Sequence, residues 1–131
     1  MESLINRAII VTGAAGGIGS AVAKRLAQQG ARLLLADLGC DADGNGSDPS
    51  VIEALGRELR SSGAHVLVDS GDIRAEGAVR RLVDRSVAEL GGIDGFVHAA
   101  GVKRESTLLK CTDADLDVVL DVHVKSSFAG V

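Results

Sequence analysis

The sequence predicts an α/β fold with a doubly wound parallel sheet, and three observations lead to that prediction. Short apolar runs alternate with amphipathic patterns of helical period along the chain. A glycine cluster follows the first apolar run, and an aspartate ends the second one. Strands that alternate with helices pair in parallel, because each right-handed helical crossover returns the chain to the same end of one sheet.

Four strands and four helices are expected, in strict alternation. The strands are expected at residues 7–12, 32–36, 65–69 and 94–99. The first three helices are expected at residues 17–29, 49–61 and 75–89. Thr112 and Asp115 have the spacing of a capping box, so the last helix is expected to begin there and to continue to Val131.

Apolar residues at steps of three and four predict which face of each helix is buried. The buried face of the first helix is expected to contain Ile18, Val22 and Leu26. That of the third helix is expected to contain Val79, Leu82, Val83, Ser86, Val87 and Leu90. In the last helix the expected inward face holds Leu116, Val119, Leu120, His123 and Ser127.

The composition is that of one globular domain, residues 1–131. With 46% hydrophobic and 24% charged residues the chain can bury a core, so disorder is not expected. The 18 acidic and 14 basic residues are scattered without a basic run, which argues against nucleic acid or an anionic membrane surface as a partner. No apolar run approaches the roughly 20 residues of a membrane span.

A cytoplasmic location without a metal site is expected. Cys40 and Cys111 lie far apart and lack metal-ligand spacing, which is typical of free thiols in a reducing compartment. Residues 1–7 lack the layout of a signal peptide. The Asp/Gly-rich loop 38–50 has some likeness to a calcium loop, but Ile52 occupies the twelfth position from Asp41, where the bidentate glutamate is needed.

The glycine cluster carries the clearest functional signal. Gly13, Gly17 and Gly19 stand between the first strand and the first helix, where backbone N–H groups can approach a pyrophosphate closely. Asp37 ends the second strand at the separation from these glycines where a dinucleotide-binding fold places its ribose-binding acid. The pattern predicts a Rossmann-type nucleotide site, with a loop-capping role for Asp37 as the alternative.

Several segments resemble, in order, the motifs of the short-chain dehydrogenase/reductase family. Thr12-Gly13-Ala14-Ala15-Gly16-Gly17-Ile18-Gly19 is similar to that family's TGxxxGIG fingerprint. Asp72-Ile73 follows the third strand, and His98-Ala99-Ala100-Gly101 follows the fourth, where the family usually has Asn-Asn-Ala-Gly. The segment 120–128 resembles the family's active-site asparagine segment, with His123 at the asparagine position. The resemblance implies the N-terminal, cofactor-binding half of the family's fold.

A narrower likeness is to the (3R)-hydroxyacyl-CoA dehydrogenase unit of peroxisomal multifunctional enzymes and their bacterial relatives. It rests on Ala36-Asp37-Leu38-Gly39 with the insertion that follows, on Ala100-Gly101-Val102-Lys103-Arg104, and on His123. This resemblance implies a hydroxy or keto substrate, with 3-hydroxyacyl-CoA as one example.

The resemblance implies a nicotinamide cofactor, and the residues favour NAD. Asp37 can accept hydrogen bonds from both ribose hydroxyls and repels the 2′-phosphate of NADP. No lysine or arginine occurs at residues 12–19, 38 or 39 to offset that repulsion. By family likeness the cofactor site comprises Gly13, Gly17, Ile18, Gly19, Asp37, Asp72, Ile73, His98, Ala99 and Gly101, with Asp72 and Ile73 beside the adenine.

Asp72, His98 and His123 each have a structural alternative to a role in the site. Asp72 can be a turn residue, and His98 can be a structural histidine, as can His65 at the start of the third strand. His123 can hold a water in a proton relay, as the family's asparagine does, or it can be a buried histidine paired to a backbone carbonyl.

The sequence contains no tyrosine, whereas the family's proton donor is the tyrosine of a Tyr-x-x-x-Lys pair. Two functions therefore stay open: the cofactor half of an NAD-dependent oxidoreductase, and a binding module without turnover. No dehydrogenase activity is expected from the chain by itself. The fourth strand should leave an open sheet edge, which a second copy or a complementing catalytic half could cover.

Overall fold

The computed structural model describes residues 3–131, and four parallel strands form one sheet in the order β3-β2-β1-β4. The strands are β1 (Ala8–Thr12), β2 (Arg32–Ala36), β3 (Val66–Asp69) and β4 (Gly95–His98). The helices are α1 (Gly17–Gln28), α2 (Pro49–Ser61), α3 (Ala78–Leu90), α4 (Asp113–Leu120) and α5 (Ser126–Ala129). A 3-10 turn at Leu108–Lys110 precedes α4, and a π-helical turn at Asp121–Lys125 joins α4 to α5.

The predicted α/β class and the alternation of strands and helices are confirmed. The last predicted helix corresponds to α4, the π-helical turn and α5 together. Thr112 and Asp115 form the predicted capping box, with reciprocal bonds of 3.1 Å between each backbone N–H and the other side chain. The expectation drawn from residues 1–7 rests in part on Met1 and Glu2, which lie outside the described residues.

The core consists of two layers, one on each face of the sheet. β1 is buried at every position because helices cover both of its faces, as in other parallel sheets. One cluster packs against α1 and α2 and includes Ile9, Val11, Leu33, Leu35 and Ile52. The opposite cluster packs against α3 and includes Ile10, Leu34, Leu82 and Leu90.

The buried face of α1 differs from the predicted one. Ile18 is 79% exposed, while Gly19 and Ala23 are buried. The helix begins so close to the preceding turn that a Cβ on Gly19 would collide with the carbonyl oxygen of Gly13. Small residues therefore make this contact, and a search for large apolar residues misses it.

The third helix begins three residues later than predicted, at Ala78. Gly77 precedes it with φ +72°, a left-handed conformation that ends the turn before the helix. The predicted stripe is buried at Val79, Leu82, Ser86 and Leu90, but Val87 is 52% exposed. At 100° per residue Val87 lies about 80° from Val79, at the margin of the face that meets the sheet.

The prediction for the last helical segment was wrong about which stripe is buried. Val118, Val122 and Ser126 face the core, while Leu116 and Leu120 are exposed. Both sets of residues are spaced by four, so helical periodicity alone cannot distinguish them. Packing against the segment after β4 decides the choice, since Val118 and Val122 cluster with Val102.

Candidate functional site

A cavity of about 320 Å³ lies where the carboxyl ends of the strands meet the loops that follow them. β1 lies between β2 and β4, so the strand order reverses at β1. Open α/β sheets bind ligands at such a switch point. The predicted site residues that line the cavity are Gly13, Asp37, Asp72, Ile73, Ala99 and Gly101.

The turn after β1 brings the chain close to the end of β4. Gly13 has φ +63°, and a Cβ there would overlap the backbone of Ala99 and Ala100. Gly13 is therefore required by both the backbone conformation and the contact. A Cβ on Gly17, in contrast, would meet nothing within 4 Å. The fold itself does not explain Gly17, whereas a ligand lying against this turn would.

The first turn of α1 presents backbone donors beside the cavity. Gly16 precedes the helix and lines the cavity, and no side chain caps the helix N-terminus. The first N–H groups of a helix have no partner within it and carry partial positive charge. Gly17, Ile18 and Gly19 supply these groups, although none of the three lines the cavity itself. A pyrophosphate fits this donor set, because it is an anion with several acceptor oxygens.

Asp37 connects the glycine turn to the loop after β2. Its Oδ2 accepts a hydrogen bond of 2.9 Å from the N–H of Ala15, and its Oδ1 accepts one of 2.7 Å from the N–H of Gly39. A carboxylate has about four acceptor positions, so further donors such as ribose hydroxyls can still bind. Asp37 can therefore cap the loop and bind a ribose at the same time.

Asp72 forms a bidentate ion pair with Arg74, a residue that the sequence analysis did not select. Arg74 Nε lies 3.0 Å from Oδ1, and Nη2 lies 2.7 Å from Oδ2. The hydrogen bond from this guanidinium lowers the pKa of Asp72, and the carboxylate raises the pKa of Arg74. An arginine two residues after an aspartate in a turn was the available signal, since the two side chains can reach each other there.

His98 joins three elements and does not line the cavity. Its Nδ1 is 2.7 Å from Thr12 Oγ1 on β1, and its Nε2 is 3.0 Å from Ser126 Oγ on α5. Nε2 is also 3.1 Å from the carbonyl oxygen of Val122, to which Ser126 donates its hydroxyl hydrogen. These contacts give the ring a structural role directly beneath the cavity.

His123 lies behind the cavity wall, and its side chain is exposed. Its Nε2 is 2.8 Å from the carbonyl oxygen and 3.1 Å from the nitrogen of Val102. A Cβ on Gly101 would lie 2.8 Å from the ring, so the glycine makes room for the imidazole. The pairing with a backbone carbonyl fits the structural alternative for His123, but the expectation that the ring is buried was wrong, as was the expected face shared with Leu116 and Leu120.

The described residues contain neither a cluster of metal ligands nor a membrane-spanning helix. Among residues 3–131 no group of three or more His, Cys, Asp or Glu side chains could hold a metal ion. Within the same range, no helix is long and apolar enough to cross a membrane.

The comparisons with known proteins agree with this geometry. The family model described as "KR domain" matches residues 8–129, and the chain belongs to this family of short-chain dehydrogenases/reductases. It is 33% identical over 122 residues to the mouse peroxisomal multifunctional enzyme type 2, covering 93% of this chain and 16% of that protein. It is 32% identical over 125 residues to the hydroxyacyl-CoA dehydrogenase ChsB1 of Mycobacterium tuberculosis, covering 95% of this chain and 38% of that protein.

A solved short-chain dehydrogenase from Burkholderia cenocepacia, in complex with NADP, superposes with a TM-score of 0.86 at 29% identity. The alignment covers 98% of this chain and 49% of that one. The chain therefore spans less than half the length of these relatives. The described sheet and its helices correspond to the Rossmann-type fold of the short-chain dehydrogenases.

Proposed function

We propose that this chain is the NAD-binding half of a short-chain oxidoreductase that transfers hydride between the cofactor and a hydroxy or keto substrate. The observation that carries the proposal is the cavity at the switch point, with uncapped helix N–H groups on one side and Asp37 on the other. When bound, the nicotinamide would supply the hydride chemistry. The residues of this chain bind and orient the cofactor.

Each proposed contact follows from the type of group that the residue presents. The N–H groups of Gly17 to Gly19 and the positive end of α1 hold the pyrophosphate. Asp37 accepts hydrogen bonds from the ribose hydroxyls. Asp72 and Ile73 lie against the adenine, and Ala99 and Gly101 form the nearby wall of the cavity. His98 supports this wall, and we keep the proton-relay role of His123 as part of the proposal.

The preference for NAD rests on the negative charge of Asp37. A 2′-phosphate on the ribose would bring about two further negative charges next to this carboxylate. At least one solved relative does hold NADP, so the family as a whole does not decide the cofactor. The negative charge of Asp37, which follows β2, is the feature of this chain that favours NAD.

Thermal unfolding with each nucleotide tests the proposal. NAD should raise the melting temperature more than NADP at equal concentration, because only the better ligand stabilises the folded state strongly. Asp37→Ala should reduce the difference between the melting-temperature shifts caused by NAD and by NADP. Asp43→Ala, at an exposed position of the following loop, should leave this difference unchanged. Equal stabilisation by NAD and NADP in the wild-type chain would overturn the role of Asp37. The ligand-induced shift is the readout, since Asp37→Ala also removes two hydrogen bonds of the free protein.

A binding module without turnover is the second candidate function. The observation that favours it is the lack of any tyrosine in the 131 residues, since the family's proton donor is a tyrosine. The absorbance of reduced nicotinamide, followed with a 3-hydroxyacyl-CoA substrate, separates the two functions. We expect no turnover from this chain by itself. Reproducible turnover that is lost in His123→Ala would instead assign catalysis to this chain.

The substrate class, partner and location are also proposals. The likeness to hydroxyacyl-CoA dehydrogenases supports a 3-hydroxyacyl-CoA substrate. β4 pairs with β1 alone in the described sheet, and the nearby Phe128 is 79% exposed. We propose that a complementing catalytic half or a second copy covers this side of the molecule. The unpaired thiols of Cys40 and Cys111 fit the reducing cytoplasm.

A further inference from the structure

The cavity contains one cationic side chain among the described residues that line it. Arg74 follows the turn after β3, and the acidic side chains of the lining are Asp37, Asp41 and Asp72. A phosphate group entering this part of the cavity would therefore meet more negative than positive charge. The position of Arg74 decides whether that single cation can offset the repulsion.

Asp72 holds the guanidinium of Arg74 in a fixed direction. Arg74 Nε lies 3.0 and 3.1 Å from the two carboxylate oxygens, and Nη2 lies 2.7 Å from Oδ2. The backbone N–H of Arg74 also donates to Oδ1 at 2.9 Å. About one third of each side chain is exposed, so the pair is partly shielded from water. A bidentate pair of this kind occupies the Nε and Nη2 donors of the guanidinium, so this edge cannot bind a phosphate at the same time.

Arg74 and Asp37 act on the same region of the cavity. Cys40, which also lines the cavity, lies on the loop after β2. Burial raises the pKa of the Cys40 thiol most, the negative charge of Asp37 raises it further, and the positive charge of Arg74 opposes both. Asp37, Cys40 and Arg74 line the same cavity, so both charges border the space that a nucleotide would occupy.

We propose that the ion pair between Asp72 and Arg74 determines cofactor selectivity by engaging the guanidinium of Arg74, the one cationic side chain among the described residues that line the cavity, so that it does not bind a ribose 2′-phosphate. This inference rests on the proposed function. While the pair is intact, Asp37 repels a 2′-phosphate and no cation compensates. Once Asp72 is neutral, the guanidinium of Arg74 is free to bind a phosphate bidentately, and NADP becomes a better ligand.

Isothermal titration with NAD and NADP tests the inference through a double-mutant cycle of Asp72→Asn and Arg74→Gln. The readout is the ratio of the two dissociation constants, because any contact of Asp72 with the adenine changes both affinities alike. Asp72→Asn should shift the ratio towards NADP by about tenfold, the effect of one hydrogen bond to a charged group. Arg74→Gln alone should shift it less than about twofold, and the double variant should lose the gain.

The matched control is Asp84→Asn, which breaks the Arg80–Asp84 ion pair of 3.0 Å on the exposed side of α3. It should leave the ratio unchanged. Asp72→Ser provides a second neutral variant, and circular dichroism of each variant confirms folding before titration.

The outcomes distinguish the two proposals. If wild type binds neither nucleotide, the proposed function fails and this inference fails with it. If wild type prefers NAD but neither neutral variant at position 72 shifts the ratio, only the inference is overturned. Additive effects of the two substitutions would also overturn it, because they would mean that the gain of Asp72→Asn does not depend on Arg74.

Discussion

At the scale of single residues, the fold requires glycine at one position of the glycine turn and does not require it at another. Gly19 is needed by the fold, because a Cβ there would overlap the carbonyl group of Gly13. Gly17 has open space around its Cα, so the folded chain would accept a side chain there. The fold therefore requires glycine at position 19 and not at position 17, although the two glycines look equivalent in the sequence.

Alanine substitutions at these two positions should separate the constraints. Gly17→Ala should leave the free energy of unfolding unchanged or raise it by up to about 1 kcal/mol, since alanine is the better helix residue. Gly19→Ala should lower it by about 2 kcal/mol or more, because the helix must move away from the turn. Urea unfolding measures both values, and titration with NAD should show weaker binding for both variants. A Gly17→Ala protein with wild-type NAD affinity would contradict the ligand role of this position.

At the scale of elements, hydrogen-bonded contacts of His98 connect the last helical segment to the central strand of the sheet. One ring nitrogen contacts Thr12 on β1 and the other contacts Ser126 and the carbonyl oxygen of Val122. The π-helical turn lies between α4 and α5, immediately before Ser126. The ring thus positions the segment that forms part of the cavity wall, since Val118 and Val122 line it.

Removing this ring should destabilise the protein. His98→Ala is expected to lower the free energy of unfolding by about 2 kcal/mol, because it removes three ring contacts and leaves the buried hydroxyl of Thr12 without its partner. His65→Ala, at an exposed histidine before β3, should change it by less than about 0.5 kcal/mol. Chemical denaturation followed by circular dichroism measures both. Equal effects of the two substitutions would show that the contacts of His98 with β1 and the last helical segment do not stabilise the protein.

At the scale of the whole molecule, several carboxylates connect separate parts of the chain. Asp94 accepts hydrogen bonds from the N–H of Ala8 at 2.8 Å and from Arg7 at 3.0 Å, which joins the start of β4 to β1. The backbone bond from Ala8, followed by the bond from Arg7, lowers the pKa of Asp94. Hydrogen bonds from Arg74 and Thr112 lower the pKa values of Asp72 and Asp115 in the same way.

These shifts predict a loss of stability in acid. A carboxyl group whose pKa is lower in the folded state stabilises that state above its unfolded pKa of about 4, and this contribution disappears as the pH falls through the folded pKa. The free energy of unfolding should therefore decrease from about pH 5 towards pH 2. Urea unfolding at several pH values should show a smaller decrease for Asp94→Asn than for wild type. Asp43→Asn, an equal change of charge on an exposed loop, should retain the wild-type decrease.

The sequence by itself determined the alternation of strands and helices, the parallel sheet and the motifs around its carboxyl edge. These features depend on local patterns: apolar runs, glycine and proline at the ends of elements, capping residues and fixed spacings. Gly13, Asp37, Asp72 and the segment after β4 could be placed in one site because parallel strands all end at the same edge of a sheet. The capping box at Thr112 was equally readable, since both partners lie within one helical turn.

The tertiary structure alone decided which faces of α1 and of the last helical segment are buried and which charged groups face the cavity. Leu116 and Val118 have the same local pattern, and only packing against Val102 separates them. Asp72 holds Arg74 from two residues away, but only the fold brings this turn after β3 into the same cavity as the loop after β2. Such contacts join residues far apart in sequence, so no periodicity records them. The glycine turn and Asp37 are properties of the sequence, whereas the charge that surrounds them is a property of the fold.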